Sequence, residues 1–289
     1  MIAIEKLSYA QRQRLQFIES VAYWEGGIDR PRVTKVFSVT QNHVTKDFRL
    51  YRQAFPGNLD YVLSERIYRP SASFQPKLAS GRPDEYLSLL RSSAECQSTA
   101  LMPVMGEGVS SVTLPVPIGQ IEPDVLFAVT RAIKRRLCLR LKYQGLRVDT
   151  PAIRTIWPHG LVFAGFRWHV RAYDEKSESY EDLVLSRILS ATQCDNTHVT
   201  ELPVDAAWNE EITIEIIPSA HLNQIQQEVI AKEYSMTKRN GWVWSVSLKQ
   251  CLIPYFFRVH RFDLGPAESY PVELRDQSLV EKFSFKRLV

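Results

Sequence analysis

The sequence predicts a multidomain α/β mix, and three observations carry that prediction. The chain has 289 residues, more than one ordinary core holds. Its apolar residues recur at helical spacing near the N-terminus, at strand spacing through the middle, and in alternating helical and strand-like runs towards the end. Its charge also comes in blocks: residues 1–70 hold 11 Lys/Arg against 7 Asp/Glu, residues 71–124 hold 3 against 6, residues 125–171 hold 10 against 1, and the remainder holds 12 against 18. Two basic regions alternating with two acidic ones argue for two anionic partners, or one long one.

The first block, residues 1–75, reads as three helices and a hairpin. Ser8 with Gln11 makes a capping-box signature ahead of Leu15, Ile18, Val21 and Ala22 at helical spacing. Gly26-Gly27 ends that helix, and Asp29-Arg30-Pro31 starts a second, because Asp caps well and Pro is tolerated in a first turn. It carries Val33, Val36 and Phe37 inward. After a short break at Ser38-Val39, Thr40 caps a third helix whose apolar stripe is Val44, Phe48 and Tyr51. Its outward side carries Gln41, Asn42, His43, Thr45, Lys46, Arg49 and Arg52, with Asp47 as its one carboxylate. Two short helices joined this tightly are a helix-turn-helix, whose second helix enters the DNA major groove. The β-prone pieces in LDYVLSERIYRP then make a winged form, with Arg66 and Arg69 on the wing. Gln and Asn pair in a bidentate way with adenine, and Lys and Arg meet guanine edges or phosphate. The expected DNA-contacting set is therefore Arg30, Arg32, Thr40, Gln41, Asn42, His43, Thr45, Lys46, Arg49, Arg52, Arg66 and Arg69. The competing reading is a polar solvated helix in some other helical domain.

Residues 76–119 read as a connector, with a short helix at RPDEYLSLLRS capped by Asp84 and a Gly/Ser/Pro-rich stretch after it. Residues 120–199 open on an amphipathic helix, PDVLFAVTRAIKRR, with Val125, Val129 and Ile133 on one side. Alternating strand-like runs follow (LCLRLKY, AIRTIW, GLVFAGFRWHVRAYD and YEDLVLSRI), separated by turns such as Tyr143-Gln144-Gly145 and Pro158-His159-Gly160. They predict a small β-barrel or a strongly bent sheet. In RWHVRAYD, alternation puts Arg167, His169 and Arg171 on one face and Trp168, Val170 and Ala172 on the other. Such a row of cations is costly unless solvated or facing an anion. Residues 200–289 alternate strand and helix, a compact α+β module in which Tyr255, Phe256 and Phe257 serve the core or a subunit interface.

Several function classes drop out. The six histidines are dispersed, the basic region 125–171 holds a single carboxylate, and no P-loop or GxSxG occurs, so an enzyme, a metal site and a cofactor are not expected. Four cysteines, Cys96, Cys138, Cys194 and Cys251, lie one per region without CxxC spacing and read as reduced, mostly buried thiols. No apolar run of about 18 residues predicts a membrane span, and the N-terminus lacks an apolar signal core, so a cytoplasmic protein is expected.

The runs LRLKY, IWPHGLVFAGFRWHVRAYD and Ser186-Arg187-Ile188 resemble a WYL domain, the Sm-like/SH3-like β-barrel sensor of many bacterial transcription regulators. Trp168-His169-Val170 stands where Trp-Tyr-Leu is usual. The order of the whole chain is similar to that family: winged helix-turn-helix, connector, WYL domain, and a C-terminal extension for dimer contacts. VTKVFSVTQNHVTKDFRLYRQAFP resembles the N-terminal blocks of WYL repressors encoded beside phage-defence systems. The resemblance implies a pocket for a nucleotide or nucleic-acid fragment, at positions matching Tyr143, Arg154, His159, Trp168, His169, Arg171, Ser186 and Arg187. Trp168 and Tyr143 have barrel core as their competing role, which for Trp168 is preferred, and Arg187 has an ion pair with Glu181 or Asp182. The expected function is a homodimeric repressor of a phage-defence operon that binds an inverted-repeat operator and answers to that ligand. The alternative is a nucleic-acid-binding accessory factor that modulates a partner machine.

Overall fold

The structure is a computed structural model that describes residues 7–95, 109–115, 117, 119–194, 202–264 and 270–285. The chain divides into two compact units, 1–115 and 116–289. Part of the connector stretch and Cys96 fall outside the described residues.

In the first unit, helix α1 (Tyr9–Glu25) starts at Ser8, whose side chain accepts from the Gln11 amide, and stops at left-handed Gly26. Helix α2 (Arg30–Phe37) is capped by Asp29 and ends at Ser38, also left-handed. Helix α3 (Gln41–Ala54) follows after three residues, capped by Thr40. Val44, Phe48 and Tyr51 are fully buried against Leu15, Ile18, Val21 and Val33, as the helical stripe requires. Strands β1 (Leu59–Val62) and β2 (Ile67–Pro70) pair antiparallel, and Ile28 bridges to Tyr68 as a third short edge. Tyr68 stacks on Phe48 at 3.9 Å, which seats the hairpin on α3.

A buried polar network ties the chain leaving this unit to α3. Glu19, fully buried, accepts from the amides of Lys77, Leu78 and Ala79 and from the Tyr51 hydroxyl. Asn58 donates to the same hydroxyl and to the Gln75 carbonyl. Helix α4 (Pro83–Glu95) then packs Tyr86 and Leu90 on the same core. It begins at Pro83, so Asp84 sits in its first turn rather than at its cap.

The second unit opens with α5 (Pro123–Arg135), which lays Val125, Val129 and Ala132 on a five-stranded antiparallel sheet. The strands are β3 (Leu139–Tyr143), β4 (Ala152–Phe163), β5 (Trp168–Asp174), β6 (Ser179–Val184) and β7 (Ile188–Gln193), in the order β6-β5-β4-β3-β7. The expected barrel is not found as a closed barrel: among the described residues the two edges, β6 and β7, meet only through the short 3-10 turn Leu185–Arg187. Pro158-His159-Gly160 is not a turn between strands. It is a bulge inside β4, where the register with β5 shifts and His159 is the extra residue. Gly160 is needed there, because a Cβ would stand 2.8 Å from the Trp208 ring.

The expectation of four reduced thiols also fails. Cys138 and Cys194 flank the paired residues Leu139 and Gln193 of β3 and β7, and the two sulfurs form a disulfide; Cys251 is free and buried.

The C-terminal module follows a short helix α6 (Ala206–Asn209). Strands β8 (Glu211–Pro218), β9 (Thr237–Arg239), β10 (Gly241–Lys249) and β11 (Val272–Leu274) form an antiparallel sheet in the order β11-β8-β10-β9. Helices α7 (Gln224–Glu233), α8 (Ile253–Val259) and α9 (Ser278–Phe283) complete it, with Ile214, Ile216, Ile253 and Phe257 at its centre. Phe257 is thus core, while Tyr255 and Phe256 are half-buried.

Candidate nucleic-acid interface and ligand pocket

The outward side of α3 is more one-sided than its sequence suggests. Asp47 does not share it: the carboxylate is buried, accepting from Arg14 Nε at 2.6 Å and from Gln11 Nε2 at 3.2 Å. What remains exposed on α3 is Gln41, Asn42, His43, Lys46, Arg49, Arg52 and Gln53, with no carboxylate among them. Thr40 and Thr45 have helix duties, since Thr40 caps the His43 amide and Thr45 donates to the Gln41 carbonyl. Beside the C-terminal half of α3, a shallow cavity of about 520 Å³ is lined by Arg30, Thr45, Arg49, Arg52 and Tyr68. Arg30 is held there by a hydrogen bond to the Tyr68 hydroxyl at 2.8 Å and by the Tyr61 and Tyr68 rings. Arg32 faces elsewhere, in a bidentate pair with Glu25 at 2.5 and 2.8 Å. On the hairpin, Arg66 is exposed in the turn and Arg69 pairs with Glu65.

In the second unit the eight expected ligand residues fall into separate places. Tyr143, Arg154 and Arg187 line one cavity of about 1330 Å³. Arg154 is paired with Asp174 at 2.5 Å and lies over the Tyr143 ring. Arg187 has no ion pair with Glu181 or Asp182, nor with any other carboxylate among the described residues. Ser186 is exposed, close to Gly119 rather than in the cavity. His159 points across the bulge to Asp205 Oδ2 at 2.9 Å and lies edge-on to Trp208.

RWHVRAYD does not present the expected anion-facing row. His169 and Arg171 do lie opposite Val170 and Ala172, but that side is covered by protein, and both are buried. Arg171 makes a bidentate bond to Asp205 at 2.8 and 2.9 Å and a third contact to Asp182 at 3.3 Å. Burial by itself would lower the guanidinium pKa; the hydrogen bond and charge of Asp205, with Asp182, hold it above the ordinary value instead. This is an internal ion cluster whose charge is already answered. Burial, with the charges of Arg167 and Arg187, pushes His169 down to about 4, so it is neutral at pH 7. Trp168 is not core: it is 43% exposed on the β4–β5 hairpin, against Phe163.

Residues outside the expected set complete the cavity. Arg147, Arg167 and Lys176 line it from the sheet side, and Arg258 of α8 and Phe285 line it from the C-terminal module. Glu181, Asp182, Asp263 and Glu281 line it too, but Asp182 is committed to Arg171 and to the Tyr255 hydroxyl. Arg167 was visible in the strand alternation; Arg258, far along the chain, carried no signal that linked it to this place.

Comparison with known proteins now decides the family. A BrxR transcriptional regulator winged helix-turn-helix domain matches residues 10–92, a WYL domain matches 124–193, and a BrxR C-terminal dimerization domain matches 211–281. The DNA-binding transcriptional repressor CapW of Escherichia coli strain KTE188 is 31% identical over 228 residues, which is 79% of this chain and 76% of that protein. The chain belongs to the CapW repressor family. CapW of Pseudomonas aeruginosa is 27% identical over 97% of this chain and 92% of its own, and CapW of Stenotrophomonas maltophilia is 28% identical over 80% and 77%. The CapW family is one of non-enzymatic DNA-binding regulators, and its likeness extends over all three blocks of the chain. Among the described residues no helix is long and apolar enough to cross a membrane.

Proposed function

We propose that this chain is a homodimeric transcriptional repressor that binds an inverted-repeat operator of a phage-defence operon. The observation that carries the reading is the exposed face of α3, amides and cations without a carboxylate, at the second helix of a helix-turn-helix. Gln41 and Asn42 read base edges; Arg30, Arg49 and Arg52 hold phosphates. Dimerisation runs through the C-terminal module, consistent with its match to a dimerization domain, and aligns two such helices on the two half-sites. An anionic nucleotide or nucleic-acid fragment in the cavity beside the five-stranded sheet sets operator affinity. The phage-defence assignment rests on the N-terminal resemblance; in the same reading domain limits fall near residues 119 and 199, and the first domain runs on past residue 75 through α4, which packs on its core.

The test is a footprint on the DNA upstream of the protein's own coding sequence, for wild type and the Gln41→Ala/Asn42→Ala double variant. A protected inverted repeat that the double variant no longer prefers supports the repressor. Uniform coating of DNA by both proteins supports an accessory factor without an operator instead.

A further inference from the structure

The cavity of the second unit draws its cations from two modules, and their arrangement is unresolved electrostatically. Arg167 comes from the β4–β5 hairpin, Arg187 from the turn between β6 and β7, and Arg258 from α8 in the C-terminal module. The Arg167 Nε is buried and has no hydrogen-bond partner. Arg187 has no carboxylate partner among the described residues, and the carboxylate paired with Arg258, Asp263, stands 4.0 Å away. Burial, then the nearness of Arg187 and Arg258, lowers the pKa of Arg167. Glu181, Asp263 and Glu281 also line the cavity, yet none of them pairs with Arg167 or Arg187 among the described residues, so an anion between the guanidiniums would meet a buried donor and positive charge that the protein leaves unmatched. Arg258 is also pre-positioned, lying 4.4 Å above the Phe285 ring.

We infer that Arg258 joins Arg167 and Arg187 in gripping a phosphate of a short oligonucleotide, so that the ligand fastens the C-terminal module to the five-stranded sheet. The inference rests on the reading of this cavity as the ligand site and adds a second module to it. Two observations favour a nucleotide chain over a single nucleotide. The cavity, about 1330 Å³, exceeds the ~300–1,000 Å³ usual for small-molecule sites. Further cations, Arg147 and Lys176, line it for phosphates beyond the first. Because the C-terminal module is matched to a dimerization domain, a ligand held by both modules acts on the element that sets the spacing of the two DNA-reading helices.

The experiment measures binding of a labelled, 5′-phosphorylated thymidine tetranucleotide to the full chain, with AMP and inorganic phosphate as competitors. The proteins are wild type, Arg187→Gln, Arg258→Gln, and Arg239→Gln as a control on the exposed strand β9. Loss of one charge-assisted phosphate contact should weaken the tetranucleotide about 10-fold or more in both Arg187→Gln and Arg258→Gln, and not in Arg239→Gln. Bound tetranucleotide should slow amide hydrogen exchange in α8 and α9 of wild type but not of Arg258→Gln. Arg258→Lys, which keeps the charge, guards against a folding defect and should lose less affinity. Retained binding in Arg258→Gln together with loss in Arg187→Gln overturns this inference alone and leaves the ligand site standing. A wild type that binds none of the three probes overturns both. AMP or phosphate competing as well as unlabelled tetranucleotide overturns the assignment of a nucleotide chain.

Discussion

Replacing Glu19 should loosen the connection between the recognition helix and the chain that leaves the N-terminal unit. The carboxylate is fully buried and takes four hydrogen bonds: from the amides of Lys77, Leu78 and Ala79 at 2.8, 2.7 and 2.8 Å, and from the Tyr51 hydroxyl at 2.5 Å. In Glu19→Ala these four donors lose their acceptor, each at about 1–3 kcal/mol if it stays dry. Water entering the vacated space offsets part of this, so about 4 kcal/mol is expected, a large effect for one substitution. Glu19→Gln keeps one oxygen for the three amides but turns strong bonds to a charge into neutral ones. It also aims an NH2 at the Tyr51 hydroxyl, which already accepts from Asn58 at 2.7 Å. About 2 kcal/mol is expected, which is roughly a 30-fold change in an opening equilibrium. Amide hydrogen exchange on the full chain reads this directly at Lys77, Leu78 and Ala79, where local opening should become easier in the order wild type, Gln, Ala. Unchanged exchange at those three amides in both variants would refute the network as the anchor of this segment.

Other outcomes follow from the same structure. Arg49→Ala and Arg52→Ala should weaken operator and random DNA alike, each lowering the slope of log affinity against log salt by about 0.9; a change in base preference at constant slope would assign them to base reading. Arg171→Leu should destabilise the second unit by about 3–5 kcal/mol, since Asp205 and Asp182 stay buried beside a vanished partner; a stable variant with altered ligand binding would return Arg171 to the ligand site. His169 is held at about 4 in the folded chain against ~6.5 unfolded. The unfolded state therefore takes the proton first, and this contribution, at most about 3 kcal/mol, is complete above pH ~6.5 and lost as pH falls towards 4. Denaturant titrations across that range should show a shallower fall for His169→Gln, and identical curves would dismiss the assignment. Alkylating the oxidised protein under denaturing, non-reducing conditions should leave Cys138 and Cys194 unmodified, and modification of both would exclude the disulfide.

The helix-turn-helix was legible in the sequence because its signals are local: caps at Ser8, Asp29 and Thr40, and the stripe Val44, Phe48 and Tyr51, act within a turn or two of the chain. Asp47 was misplaced because the Arg14 that draws it inward lies 33 residues earlier. Strand alternation likewise told which side of β5 holds His169 and Arg171, but a period of two says nothing about what covers that side. Asp205, 34 residues from Arg171, and Tyr255, 73 residues from Asp182, turned a supposed anion-facing row into an interior ion cluster. The same limit hid the disulfide, whose cysteines stand 56 residues apart and meet through the β3–β7 register. It also hid Arg258, brought to the cavity by the packing of a separate module. Local propensity fixes what a segment becomes, whereas charge neutralisation depends on distances of a few ångströms that only the packed chain creates.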